Sequence, residues 1–119
     1  MGESMLIVTE SAGVQVIGFR QNAILDTATV DGIAAELEAI VQAPGARRIV
    51  LDLHDVKFLS SRALGVFVAL RKKADENKSK IGFSGVRPEL QKVFQLTKLD
   101  KLFQCFASVE EATTSLGGG

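Results

Sequence analysis

Apolar and β-branched residues crowd Met5 to Glu10 and again Val14 to Phe19, separated by Ser11-Ala12-Gly13. Two such runs around a break of small residues predict a β-hairpin. Gln21-Asn22 then leads to a short third strand, Ala23 to Leu25. From Val30 the period changes: Val30, Ile33, Ala34, Leu37, Ile40 and Val41 recur at three and four, the spacing of one helical face. Asp26, Thr27 and Thr29 are candidate caps before this helix, and Pro44-Gly45 stops it. Ile49 to Leu53 is apolar almost throughout, as expected of a central strand covered on both faces.

Asp55 to Leu59 leads into Ser60-Ser61, one of which caps a second helix carrying Ala63, Leu64, Phe67, Val68, Leu70 and Ala74 on its inner side. Glu76-Asn77-Lys78 ends it, and Ile81 to Ser84 is a further strand. Pro88 suits the first turn of a third helix lined by Leu90, Val93, Phe94 and Thr97. A last strand is expected around Leu102 to Phe106. Ser108-Val109-Glu110-Glu111 then has the capping-box pattern and opens a final helix ending before Gly117.

Strands first, then helix and strand in alternation, predict an α/β fold. The expected architecture is one mixed sheet, antiparallel at its N-terminal strands and parallel in its centre, with about four helices packed on it. No repeat or low-complexity linker divides the chain. Its 119 residues, 46% apolar, suffice for one domain over 1–119, with a core over about 5–116 and a flexible tail at 117–119. No metal or disulfide is needed for stability at this size. Cys105, the only cysteine, is flanked by Phe103 and Phe106 and reads as a buried, reduced thiol.

Fourteen basic residues balance fourteen acidic ones, so no net field draws a polyanion, and nucleic acid is a poor candidate partner. The densest basic run, Arg71-Lys72-Lys73, falls where a helix end favours cations. No signal-peptide pattern or apolar run of about 18 residues is present, so a cytoplasmic protein without a membrane span is expected.

The loops leaving the carboxyl ends of parallel strands gather at one edge of such a sheet, and sites form there. Three qualify: Asp26 to Thr29, Phe58 to Arg62 and Gly85 to Arg87. Two of them carry hydroxyls beside a helix start, where unpaired N–H groups and the helix dipole accommodate a phosphate. Ser60 and Ser61 taken alone read more readily as plain caps, since serine is common at helix starts. An enzyme would need a base beside its nucleophile. His54 is the only histidine, and Asp52-Leu53-His54-Asp55 reads as the polar exit of a strand rather than as half of a His54–Ser61 pair. His54 with Cys105 falls short of a zinc set, and no glycine-rich phosphate loop is present. No catalytic residue, cofactor or metal is therefore assigned.

The run Val56-Lys57-Phe58-Leu59-Ser60-Ser61-Arg62-Ala63-Leu64-Gly65-Val66 resembles the signature of STAS domains, above all of bacterial anti-sigma factor antagonists. In that family an Asp-Ser-Ser/Thr-Gly-Leu-Gly run carries the regulatory phosphoacceptor as its first serine. Matching Phe58, Leu64 and Gly65 puts Ser61 at that position. Ala23-Ile24-Leu25-Asp26 resembles the family's Gly-x-Leu-Asp segment, whose aspartate lies near the phosphoacceptor. Val86 to Leu90, with Val93-Phe94 and Leu99, is similar to the stretch that follows. The likeness runs from about Met5 to Leu116.

Three positions depart from the pattern: Ser60 stands for the usual aspartate, Arg62 for a second serine or threonine, and Ala63 for glycine. Arg62 introduces a cation that either pairs with a phosphate on Ser61 or holds Asp26 beforehand. The resemblance implies a non-enzymatic regulator with Ser61 as its phosphorylation site and Asp26, Thr27, Ser60 and Arg62 as the switch and partner-binding residues. It implies an anti-sigma factor that is also a serine kinase as partner, and a serine phosphatase that restores the binding form. The alternative is a STAS scaffold that is never phosphorylated, as in a lipid-transport or signalling complex.

Overall fold

The computed structural model describes residues 5–45 and 47–117. Strands β1 (Leu6–Ser11) and β2 (Val14–Phe19) form the expected hairpin, antiparallel from Leu6↔Phe19 to Ser11↔Val14. Its loop is only Ala12 and Gly13, with φ of 53° and 79°, and two positive values in succession match the twist of the flanking strands. Alternation along β2 sends Ile17 and Phe19 to one face and Val14 and Val16 to the other. All four are buried.

After β3 (Ala23–Ile24), helix α1 (Thr27–Val41) buries Val30, Ile33, Leu37 and Val41, with Ala34 and Ile40 half-buried beside them. Then follow β4 (Arg48–Asp52), β5 (Phe58–Leu59), α2 (Ser61–Glu76), β6 (Lys80–Ser84), α3 (Pro88–Leu96), α4 (Leu99–Leu102), β7 (Gln104–Phe106) and α5 (Val109–Leu116). The main sheet has the order β1-β2-β4-β6-β7, with every pair after the hairpin parallel.

The expected α/β fold, antiparallel at its N-terminal strands and parallel beyond them, is present, with these details corrected. The strands do not form one sheet: β3 and β5 pair only with each other, in parallel, apart from the five-stranded main sheet. The helices number five, not about four. Lys98, with φ of 63°, turns the chain into the extra helical turn α4, so Leu102 is helical and the last strand begins at Gln104. Val68 is exposed, since about 100° of rotation from the fully buried Phe67 carries it off the inner face. Cys105 is exposed rather than buried. Its surroundings still desolvate the sulfur enough to push the thiol pKa up, with the charge of Asp100 adding to the effect.

Gly117, expected in a flexible tail, is buried, and its N–H donates to Thr113 O at 2.8 Å. A Cβ there would lie 2.4 Å from Ala12 O, so the chain passes too close to the hairpin turn for any side chain. Residues 118 and 119 lie outside the described residues.

The principal core fills the space between one face of the main sheet and α1 to α4. Phe19, Phe67, Phe83, Phe94 and Phe103 form a continuous set of ring contacts through it, with centroids 4.6 to 6.5 Å apart. On the opposite face α5 lays Ala112 and Leu116 over Val14 and Val50. Ser108 Oγ caps α5 by accepting from Glu111 N at 3.1 Å, as the capping-box pattern predicts.

Candidate functional site

The short β3–β5 pair decides where the two hydroxyl-bearing loops meet. Ala23 lies beside Phe58 and Ile24 beside Leu59, and Ser60 N donates to Ile24 O at 3.0 Å. Both strands run the same way, so each delivers its chain to a helix start at the same end. Two residues beyond Ile24 is Asp26, and two beyond Leu59 is Ser61. The N-termini of α1 and α2 therefore emerge side by side.

Each helix start is capped from within. Asp26 Oδ2 accepts from Thr29 N at 3.0 Å and Oδ1 from the Thr29 hydroxyl at 2.7 Å. These bonds, the backbone one first, favour the carboxylate and hold the Asp26 pKa below its ordinary value. Ser60 Oγ accepts from Ala63 N at 3.1 Å, which settles the choice between the two serines: Ser60 is the cap of α2. Ser61 is the first helical residue, is exposed, and among the described residues its hydroxyl has no hydrogen-bond partner. The adjacent Thr27 is also exposed, at the start of α1.

Arg62 does not reach Asp26, which corrects one of the two roles open to it. Its guanidinium binds Asp31 one turn into α1, Nη2 to Oδ1 at 2.7 Å and Nε to the same oxygen at 3.1 Å. Pairing across 31 residues leaves no local mark in the sequence, and reading the chain alone missed Asp31 altogether. It also missed the apolar rim. Leu25 and Phe58 are 53% and 54% exposed, because alternation along the two short strands turns Ile24 and Leu59 inward and their neighbours out.

The third loop is fixed against His54. Arg87 Nη1 donates to His54 O at 3.2 Å, and Gly85, with φ of 64°, packs so close to His54 that a Cβ would fall 2.8 Å from the His54 Cβ. The His54 ring faces Asp55 Oδ1 at 3.2 Å and Asp52 Oδ2 at 3.7 Å, so its polar partners are carboxylates rather than Ser61. Arg71 pairs with Asp75 on its own helix, and Lys73 reaches across to Glu38 of α1. Among the described residues no helix is long and apolar enough to cross a membrane.

The surface so assembled is a hydroxyl between an ionised carboxylate and an engaged arginine, rimmed by two exposed apolar side chains. It has acceptors and contact area for a protein, and among the described residues no cluster of His, Cys, Asp and Glu could hold a metal ion.

Comparison with known proteins places the fold. The solved structure of an anti-sigma-factor antagonist (STAS) domain protein from Planctomyces limnophilus superposes with a TM-score of 0.86 at 25% identity, covering 98% of this chain and all of that one. The candidate anti-sigma factor antagonist BtrV of Bordetella bronchiseptica is 27% identical over 92 residues, covering 77% of this chain and 78% of its own. A STAS-domain containing protein of Pseudomonas aeruginosa is 33% identical over 58 residues, a match that covers 49% of this chain and 57% of that protein. The family model for the STAS domain matches residues 6–112, from the first strand into the last helix. With nine-tenths of its length so matched and the strand order and helices in place, the chain belongs to the STAS domain family.

Proposed function

We propose that this chain is an anti-sigma factor antagonist-like regulator of the cytoplasm, which docks on an anti-sigma factor with serine kinase activity and is released when Ser61 is phosphorylated. A serine phosphatase returns it to the docking form. One observation carries the reading: Ser61 is exposed, left free by the capping role of Ser60, and set beside Asp26 by the pairing of β3 with β5. Asp26, Thr27, Ser60 and Arg62 form its surroundings, with Leu25 and Phe58 as apolar contacts for the partner.

The electrostatics suit a switch. A phosphate on Ser61 brings about −1.5 to −2 charges. It would lie beside an Asp26 carboxylate that its hydrogen bonds to Thr29 keep ionised, while the free N–H groups of the first helical turn stabilise it locally. The modified domain stays folded, but its docking face becomes more anionic by about 1.5 to 2 charges. A loss of about 1.4 kcal/mol in docking already weakens affinity tenfold, and a dianion desolvated against a partner exceeds that.

The test is co-purification from the native cell, addition of ATP to the recovered complex, and intact-mass and peptide analysis. One phosphate mapped to Ser61, with release of the partner, is the expected result. Unchanged mass with the partner retained would instead identify a fixed scaffold.

A further inference from the structure

At the edge of the sheet opposite Ser61, the hairpin loop, the start of β4 and the turn from α2 into β6 enclose an open groove of about 410 Å³. It is lined by Arg47, Arg48, Lys78 and Lys80 with Glu10 and Gln15. We propose that this groove is a binding site for a small anion carrying adjacent phosphate groups.

Four observations converge. The chain as a whole has no net charge, yet four cations meet one carboxylate here, and none of the four has an ion-pair partner among the described residues. Arg48 and Lys80 occupy directly neighbouring register positions on parallel strands, with their side chains on the same face. Like charges so placed repel unless an anion lies between them. Lys78 sits at φ of 58° just beyond α2, a left-handed position where glycine or asparagine is less strained. Two wall atoms, Arg47 Nε and Gln15 Oε1, are buried without a partner among the described residues, and buried polar groups ordinarily have one. A partly protonated phosphate chain offers both an acceptor for the guanidinium and a donor for the amide oxygen.

The groove is also preorganised. Arg47 N donates to Ser79 Oγ at 3.1 Å, Lys80 N to Arg47 O at 2.8 Å, and the Asn77 amide ties α2 to Val41 O and Ala43 O. The arginines and lysines are thus presented on fixed backbone, and the volume lies in the range of small-molecule sites.

Calorimetric titration with pyrophosphate at low ionic strength tests the proposal. A saturable 1:1 isotherm is expected, weakening as salt is raised because the cations are exposed and screened. The double variant Arg48→Ala/Lys80→Ala should bind at least tenfold more weakly while its thermal midpoint holds or rises, since a repulsive pair has been removed. Lys72→Ala/Lys101→Ala, which removes equal charge elsewhere, should bind as the parent does. Ser61→Asp should also leave binding intact, which separates this groove from the docking face. No measurable pyrophosphate binding, equal affinity in the two double variants, or equal affinity for sulfate would each overturn it.

Discussion

Arg62 holds Asp31 through two hydrogen bonds to one carboxylate oxygen, at 2.7 and 3.1 Å, and so latches the first turn of α2 to α1 immediately beside Ser61. The cation that departs from the family pattern is therefore engaged before any phosphate arrives. Its side chain is 58% exposed and that of Asp31 54%, so the pair is weak in solvent, within about 1 kcal/mol. Asp31→Ala should lower stability to urea by no more than that. It should also free Arg62 to pair with a phosphate on Ser61, so that phosphorylation raises the thermal midpoint of the variant more than that of the parent. Equal shifts in the two proteins would show that Arg62 and the phosphate do not meet.

Adjacent serines have different work. Ser60→Ala removes the cap of α2 and should cost about 1 kcal/mol of folding stability, whereas Ser61→Ala should be nearly neutral and escape phosphorylation. Ser60→Asp restores the family's aspartate and keeps a good cap, so urea midpoints should rank it with the parent. If Ser61→Ala proved the more destabilising, the assignment of the cap to Ser60 would fail.

Ser61→Asp should weaken partner docking while leaving the thermal midpoint nearly unchanged, because the side chain is exposed at a helix N-terminus, where negative charge is tolerated. Binding assay and thermal melt together check this. Unfolding as the main effect would make Ser61 a structural residue.

Asp26 links stability to pH. Hydrogen bonds from the Thr29 backbone and hydroxyl depress its folded pKa below the value of the unfolded chain. Its contribution is therefore complete above the ordinary carboxylate value near 3.8 and is lost as pH falls through the lower folded value. Asp26→Asn keeps the cap without the charge. The difference in urea midpoint between parent and variant should thus shrink on acidification from about pH 6 to below pH 3.

Phe67 lies between Phe19 and Phe83, edge-on to both, and is 1% exposed. Phe67→Ala should cost about 3–5 kcal/mol, a large part of the 5–15 kcal/mol typical of a domain. Gly82→Ala should also destabilise, since its Cβ would meet Gln104 O at 2.8 Å across the β6–β7 pair. Denaturant titration measures both.

The sequence alone determined whatever depends on local period and local chemistry. Alternation marked the hairpin, three-and-four spacing marked the inner faces of α1 and α2, and Pro88 and Ser108 marked helix starts. These features act between residues a few positions apart, which a single chain displays directly. The signature around Ser61 was legible for the same reason.

Tertiary structure decided what depends on residues distant in sequence. Only the pairing of β3 with β5, strands far apart in sequence, brings the starts of α1 and α2, and with them Asp26 and Ser61, to one place. The Arg62–Asp31 latch spans 31 residues and the cationic groove draws on three separate segments, so neither has a local period to betray it. Cys105 and Val68 show the converse: an apolar neighbourhood in sequence does not fix burial, because exposure is set by which element, if any, packs over a side chain once the sheet has formed.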